Sequence, residues 1–78
     1  MVNLNQVLSD MVKAIVDDPT AVSVAESEAG GELILELTVA PSDMGKVIGK
    51  HGRIAKAIRL VMMAAAASVD RKVVVKIR

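Results

Sequence analysis

The first stretch of apolar residues repeats at three- and four-residue steps: Leu4, Val7, Leu8, Met11, Val12, Ile15 and Val16. This spacing predicts an amphipathic helix with one apolar face. Asn3 followed by Gln6 resembles a capping box and predicts where the helix starts. The acidic pair Asp17-Asp18 followed by Pro19 predicts where it stops.

The next part of the chain changes to a two-residue period. Val22 and Val24 alternate with small residues and predict a short strand. Leu33 to Val39 places an apolar residue at every second position and predicts a half-buried strand. Ala29-Gly30-Gly31 separates the two strands, and we therefore expect an antiparallel hairpin.

Two helices and a strand are predicted for the remainder. Ser42 is expected to cap a short helix that runs through Ile48. After Gly49-Lys50-His51-Gly52, a second helix is predicted with these residues on one side: Ile54, Ile58, Val61, Met62, Ala65 and Val69. Asp70-Arg71 is a predicted turn before a last strand over 73–77, whose three consecutive valines suggest cover on more than one side.

The predicted order is therefore αββααβ in one α+β domain over residues 1–78, with helices on one face of a three-stranded sheet. A strand, a helical crossover and a second strand usually form a right-handed unit with parallel strands. We expect a core βααβ unit over about 32–78, preceded by a helix and strand within 3–28, and a mixed sheet.

Composition excludes several classes of protein. Hydrophobic residues make up 53% of the chain, which excludes disorder as a description of the whole. There is no Cys and a single His, so a thiolate or zinc site lacks ligands. There is no Phe, Tyr or Trp, so the imidazole of His51 is the only ring on which a base could stack, and domains that bind nucleic acid on aromatic rings are excluded. The N-terminal segment of the sequence lacks the features of a signal peptide. The longest uncharged run, Leu60 to Val69, is too short to span a membrane. A cytoplasmic location is therefore expected.

Charge is divided unevenly along the chain. Residues 1–43 carry eight acids and one Lys, a balance of −7, whereas residues 44–78 carry nine bases and one Asp, a balance of +8. Such asymmetry indicates that one end faces a polyanion. The alternative is that the two halves form solvent-exposed surfaces of opposite charge, neither of which binds a polyanion.

The glycine-bounded turn Gly49-Lys50-His51-Gly52 is the most informative segment. Glycines permit backbone angles that are closed to other residues and allow a second backbone to come close. The helix that follows directs its unpaired N–H groups and positive dipole end at the same place. Lys50, His51 and Arg53 add donors, which suits a phosphate backbone held without base readout.

Neighbouring side chains extend this candidate site. Three isoleucines are predicted to form an aliphatic floor for bases: Ile48, Ile54 and Ile58. Three further cations are placed to reach additional phosphates: Lys46, Lys56 and Arg59. The segment contains no acid between Asp43 and Asp70.

The sequence Val-Ile-Gly-Lys-His-Gly-Arg at 47–53 resembles the signature of the KH RNA-binding domain, whose GxxG loop clamps four nucleotides of a single strand. The αββααβ order resembles the bacterial, type II arrangement. The segments 39–50 and 52–59, with an Ala-Pro-x-Asp-Met-Gly-Lys lead-in, are similar to the small single-KH KhpA family, and the similarity extends over essentially the whole chain.

This resemblance implies a cytoplasmic single-stranded RNA-binding protein, an RNA chaperone that is not an enzyme and needs no cofactor. It assigns the clamp to Gly49, Lys50, His51 and Gly52. It also implies a homodimer, or a heterodimer with a larger KH protein of the KhpB, Jag or EloR type. That pair is tied to post-transcriptional regulation in cell elongation, division and peptidoglycan homeostasis.

One position departs from the pattern, because many KH domains carry Ile or Val where this chain has Ala55. We therefore expect a shallower aliphatic floor for bases and little sequence preference.

Other chemistries fit poorly. A nucleotide-binding P-loop needs different glycine spacing, and His51 lacks a nucleophile or an orienting acid nearby. The alternative that stays open is a KH-fold dimerisation module with little RNA binding, because the apolar content is high for so small a domain.

Overall fold

The computed structural model describes residues 2–78. Its elements are α1 (Leu4–Lys13), β1 (Ser23–Ala29), β2 (Glu32–Thr38), α2 (Met44–Ile48), α3 (Arg53–Ala67) and β3 (Lys72–Ile77). Single 3-10 turns lie at Pro19–Ala21, Pro41–Asp43 and Lys50–Gly52. The predicted αββααβ order and the α+β fold class are confirmed.

The sheet has the order β1-β2-β3, with β2 in the centre. β1 pairs with β2 antiparallel through the Gly30-Gly31 turn, where both glycines have positive φ. β2 pairs with β3 parallel, with Leu35 opposite Val75. The mixed sheet and the parallel crossover predicted from the sequence are therefore present.

The core lies between one face of the sheet and the helices. Leu33, Leu35 and Leu37 alternate along β2 and are buried against residues of α1 and α3, which include Leu8, Val12, Ile58 and Met62. Each fully buried aliphatic side chain of this size stabilises the fold by about 1.5–3 kcal/mol. This burial fixes α3 across the sheet and so positions the loop that precedes it.

Helix α1 starts as predicted and ends early. The Asn3 side chain accepts a hydrogen bond from the backbone N–H of Gln6 at 3.1 Å. The Gln6 side chain donates to Asp10 rather than back to Asn3, so only half of the capping box forms. The helix ends at Lys13 because the chain turns to bring Asp17 and Asp18 to the buried Asp43.

Asp43 is the one buried charged residue in the part of the chain that the structure describes, with 1% of its surface exposed. Its Oδ1 and Oδ2 accept the backbone N–H groups of Asp17 and Asp18 at 3.1 and 3.0 Å. Asp43 therefore ties the loop after α1 to the start of α2. The predicted Ser42 cap is wrong, because Ser42 lies exposed in the preceding 3-10 turn and α2 has no side-chain cap.

Two further predictions need correction. The buried face of α3 is Ala55, Ile58, Met62 and Ala66, whereas Ile54 and Val61 of the predicted stripe are 38% and 47% exposed. The valines of β3 are not covered equally on both faces: Val75 is buried on the face that packs against the helices, and Val74 is half-buried on the other face. Among residues 2–78, no helix is long and apolar enough to cross a bilayer.

Candidate functional site

The loop between α2 and α3 has a backbone that requires glycine. Gly49 adopts φ 75° and ψ 173°, and Gly52 adopts φ 72°. A β-carbon on Gly49 would lie 2.8 Å from Cβ of Ile54 and 3.0 Å from its backbone nitrogen, so α3 starts in direct contact with this glycine. A β-carbon on Gly52 would meet nothing within 4 Å, so Gly52 is required by its φ angle alone.

His51 has the left-handed conformation although it is not a glycine, with φ 58° and ψ 25°. This conformation is uncommon for a residue with a β-carbon. Together with Gly52 it turns the chain abruptly into α3 and leaves the His51 side chain exposed. The loop therefore presents its backbone and two side chains, Lys50 and His51, to solvent.

The start of α3 is open to a ligand. Gly52 occupies the N-cap position; the backbone N–H of Arg53 donates to the backbone oxygen of Lys50, and no side chain caps the helix. The first turn of a helix has N–H groups without intrahelical partners, and the aligned peptide dipoles make that end positive. The N-terminal end of the fifteen-residue helix α3 therefore attracts anions, and it lies beside the glycine loop.

Three exposed cations surround this terminus: Lys50, Arg53 and Lys56. Within residues 2–78, none of the ion pairs involves any of the three. Their charge is therefore not compensated by a neighbouring carboxylate and is available to an anionic ligand.

Lys46 differs from these cations. Its Nζ pairs with the Asp17 carboxylate and lies 3.9 Å from Asp43 Oδ1. The hydrogen bond that the Lys46 ammonium donates to Asp17 is the main reason that the pKa of Lys46 is raised above its ordinary value. Lys46 is on the surface, but its charge is already engaged by carboxylates of its own chain.

Arg59 is also engaged. Its Nε donates to the backbone oxygen of Val75 at 3.4 Å, which ties α3 to the outer strand of the sheet. The guanidinium group has further donors, so the residue can still contact a phosphate. Its contact with β3 holds part of the side chain against the edge of the sheet.

The predicted aliphatic floor is only partly present. Ile48 and Ile54 are 41% and 38% exposed and flank the loop. Ile58 is 2% exposed and belongs to the hydrophobic core, so its assignment to the floor is corrected. Ala55 is 6% exposed and presents little surface. The accessible apolar surface beside the loop is therefore formed by two isoleucines.

Two features were not predicted from the sequence. The first is the burial of Asp43; the available signal was an acid directly before the predicted short helix. The second is the outer face of α3, where Leu60 and Met63 are 62% and 59% exposed. Their spacing of three residues, off the predicted core stripe, could have indicated a second apolar face.

The sequence matches the family model for the KH domain of KhpA and KhpB over residues 5–77. The chain belongs to this family. It is 54% identical to the RNA-binding protein KhpA of Clostridium acetobutylicum over 74 residues, which are 95% of this chain and 99% of that one. It is 49% identical to the RNA-binding protein KhpA of Caldanaerobacter subterraneus subsp. tengcongensis over the same coverage.

A relative from Treponema pallidum, also named RNA-binding protein KhpA, is 48% identical over 61 residues, which cover 78% of this chain and 76% of that one. The fold of this KH domain is also similar to part of Era in a crystal structure with MgGDPNP and a segment of 16S ribosomal RNA. That similarity has a TM-score of 0.65 at 17% identity and covers 95% of this chain and 28% of the Era chain. This similarity supports the fold only.

The family resemblance predicted from the loop and its lead-in is confirmed, as is the prediction that the chain is not an enzyme.

Proposed function

We propose that this KH domain binds a short stretch of single-stranded RNA through the loop 49–52 and the start of α3. One observation carries the proposal: an uncapped fifteen-residue helix begins beside a glycine-bounded loop whose cations have no carboxylate partner among residues 2–78. The relatives that are named RNA-binding proteins support it.

The phosphodiester backbone is the part of RNA that this arrangement suits. Backbone N–H groups at the start of α3 donate to phosphate oxygens, and Lys50 and Arg53 add charge-assisted hydrogen bonds. His51 contributes a ring donor from the exposed side of the loop. Gly49 and Gly52 keep the loop free of β-carbons that would hold the RNA backbone away.

Bases would rest on Ile48 and Ile54, with Lys56 on the next turn of α3 reaching a further phosphate. These contacts do not distinguish one base from another, because neither isoleucine side chain has a hydrogen-bonding group. We therefore expect little preference among unstructured sequences, and binding that is weak because a single KH site spans about four nucleotides.

Salt dependence tests this proposal directly. If Lys50, Arg53 and Lys56 neutralise three phosphates, the logarithm of affinity falls against the logarithm of salt concentration with a slope of about −2. Fluorescence anisotropy with a labelled, unstructured RNA at several salt concentrations measures the slope. A slope near zero would contradict an electrostatic clamp, and a preference of more than about a hundredfold for one short motif would contradict backbone recognition.

Self-association is a second role, which the outer face of α3 favours. Leu60 and Met63 are its large exposed residues, and the exposed Ala57, Ala64 and Ala67 lie at the same helical spacing. Small residues let two helices approach closely, and large apolar ones supply the buried area. We infer that α3 packs against α3 of a second copy.

The large residues of the outer face of α3 are separated from the glycine loop along the helix. The loop directly precedes the first residue of α3, whereas Leu60 lies at the middle of the helix and Met63 in its second half. A dimer formed in this way would leave both loops accessible and place two weak RNA sites on one particle. Two linked sites bind a single strand more tightly than either site alone.

The wider role is inferred from the family resemblance. It comprises RNA-chaperone activity in the cytoplasm together with a larger KH partner of the KhpB, Jag or EloR type. It also comprises a contribution to cell elongation, division and peptidoglycan homeostasis. Co-purification with such a partner, lost when Met63 is changed to Glu, would support a heterodimer through the same face.

A further inference from the structure

An open groove of about 790 Å³ lies at the end of the domain opposite the glycine loop. It is bounded by the start of α1, by the hairpin end of β1 and β2, and by the segment that follows α3. Val69 and Arg71, which line it, come after the last residue of α3, whereas Gly52 precedes the first. Fifteen residues at 1.5 Å per residue separate the two places by about 22 Å.

The acidic wall of the groove is formed by residues of β1 that point to the helix side of the sheet. Glu26 pairs across the strands with Leu35, and Glu28 pairs with Leu33. Directly opposite residues lie on the same face of a sheet, so both carboxylates project on the face that forms the core elsewhere. They are exposed because the helix layer does not cover this part of β1.

The two carboxylates are not equivalent. Glu28 Oε1 accepts a hydrogen bond from Arg71 Nη2 at 2.7 Å, which compensates its charge. Glu26 forms no ion pair among residues 2–78. The Asn5 amide donates to Val24 O at 3.3 Å, which leaves its own oxygen as an acceptor. The groove therefore has a net charge of −1 and an excess of acceptors.

The floor of the groove is apolar. Leu4 and Leu33 are buried beneath it, at 6% and 7% exposed, and the accessible apolar surface is formed by Val2, which is 41% exposed, and by the half-buried Val69. A groove of this volume, with an apolar floor and a few polar groups at its side, has the character of a binding site. A ligand that fits it combines aliphatic groups with a cationic hydrogen-bond donor.

We propose that this groove docks a short basic segment of a protein partner. A lysine or arginine of the partner pairs with Glu26, and an adjacent aliphatic side chain packs on Val2 and Val69. The charge of the groove repels nucleic acid, so this site is independent of the proposed RNA site. The domain would then hold RNA at its basic end and a protein at its acidic end.

The test uses a capped peptide of alternating lysine and leucine, titrated into the isotope-labelled protein and followed by amide chemical shifts. We expect shifts concentrated at Asn5, Glu26, Glu28 and Arg71, and no binding by the matching peptide in which glutamate replaces lysine. Glu26→Lys should weaken binding about tenfold. The matched control is Glu32→Lys, which makes the same charge change on the other face of the sheet and should leave binding unchanged.

Glu26→Gln provides a second variant that keeps the shape of the side chain, with an expected loss of about threefold. The proposal is overturned if the peptide shifts residues of the outer face of α3 instead, as an apolar surface for a second copy would require. It is also overturned if Glu26→Lys and Glu32→Lys weaken binding equally, since that indicates attraction to net charge alone.

Discussion

Ile54 lies against Gly49 so closely that no β-carbon fits between them. A β-carbon on Gly49 would approach Cβ of Ile54 to 2.8 Å, and that isoleucine is the second residue of α3. The contact joins the first glycine of the loop to the helix that the loop precedes. Gly49 lies at one end of the proposed phosphate site, and its contact with Ile54 therefore also fixes the direction of the uncapped start of α3.

The three glycines 45, 49 and 52 should respond differently to alanine. Gly49→Ala should destabilise the protein by about 2–4 kcal/mol, since it combines a left-handed φ with overpacking against Ile54. Gly52→Ala, where space is free but φ is 72°, should cost about 1–2 kcal/mol. Gly45→Ala, inside α2 with open space, should stabilise by about 0.5–1 kcal/mol. Urea unfolding ranks the three, and equal effects would contradict the contact.

Releasing Lys46 should strengthen RNA binding. Asp17→Asn removes the nearer of its two carboxylate partners and leaves only Asp43 Oδ1 at 3.9 Å, so Lys46 becomes available as a fourth cation near the loop. We expect higher affinity and a salt slope that steepens from about −2 to about −3. Asp18→Asn is the matched control, because it removes the same charge one residue away without freeing Lys46. If both variants change the slope equally, Lys46 does not contact RNA.

The same ion pair predicts a pH dependence at the basic end of the range. Because Asp17 raises the pKa of Lys46, the pair contributes stability below the ordinary value of 10.5 and loses it as pH rises through the higher folded value. The difference in thermal midpoint between the native protein and Asp17→Asn should be constant from pH 7 to 9 and shrink above about 10.5. A difference that disappears below pH 9 would contradict the assignment.

Much of the fold could be predicted because it depends on local periodicity. The alternation from Leu33 to Leu37 and the helical spacing from Leu4 to Val12 each specify one buried face. The register of α3 could not be predicted, because apolar residues occur on nearly every side of this helix. Only packing on the sheet shows that Ile58 is buried and that Ile54 is exposed.

The loop could be predicted from its glycines and cations. Which of these cations pairs with a carboxylate of the same chain could not be predicted. Lys46 and Lys56 look alike in sequence, but Lys46 meets Asp17, which is 29 positions away in the chain. Asp43 likewise finds its partners 25 and 26 positions away. Contacts at such separations depend on tertiary structure, and no short-range pattern contains them.

The buried Asp43 should be sensitive to loss of one acceptor. Asp43→Asn keeps the shape but offers one carbonyl oxygen where the carboxylate offers two, so either Asp17 or Asp18 loses its backbone hydrogen bond. A buried donor left unsatisfied costs about 1–3 kcal/mol. Urea unfolding measures this cost, and Ser42→Asn, at the exposed neighbouring position, should change stability by less than about 0.5 kcal/mol. Equal stability of Asp43→Asn and the native protein would contradict the role of Asp43.

Self-association through α3 predicts a mass above the 8.2 kDa of one chain at micromolar concentration. Met63→Glu places a charge within the outer face of α3 and should yield a monomer with unchanged circular dichroism, since Met63 is 59% exposed. Ser42→Glu adds the same charge at an exposed site elsewhere and should leave the mass unchanged. Light scattering of the native protein at the monomer mass over a wide concentration range would contradict a homodimer.

The most direct test of RNA binding at the glycine loop is the affinity of Lys50→Asp combined with His51→Asp. Both side chains are exposed between the loop glycines, so circular dichroism, thermal midpoint and oligomeric state should be unchanged. The control is Lys72→Asp combined with Lys76→Asp, which puts two acids on the open face of the sheet. We expect anisotropy to detect no RNA binding by the loop variant and nearly native binding by the control. A folded loop variant that binds RNA as tightly as the native protein would contradict RNA binding at the glycine loop.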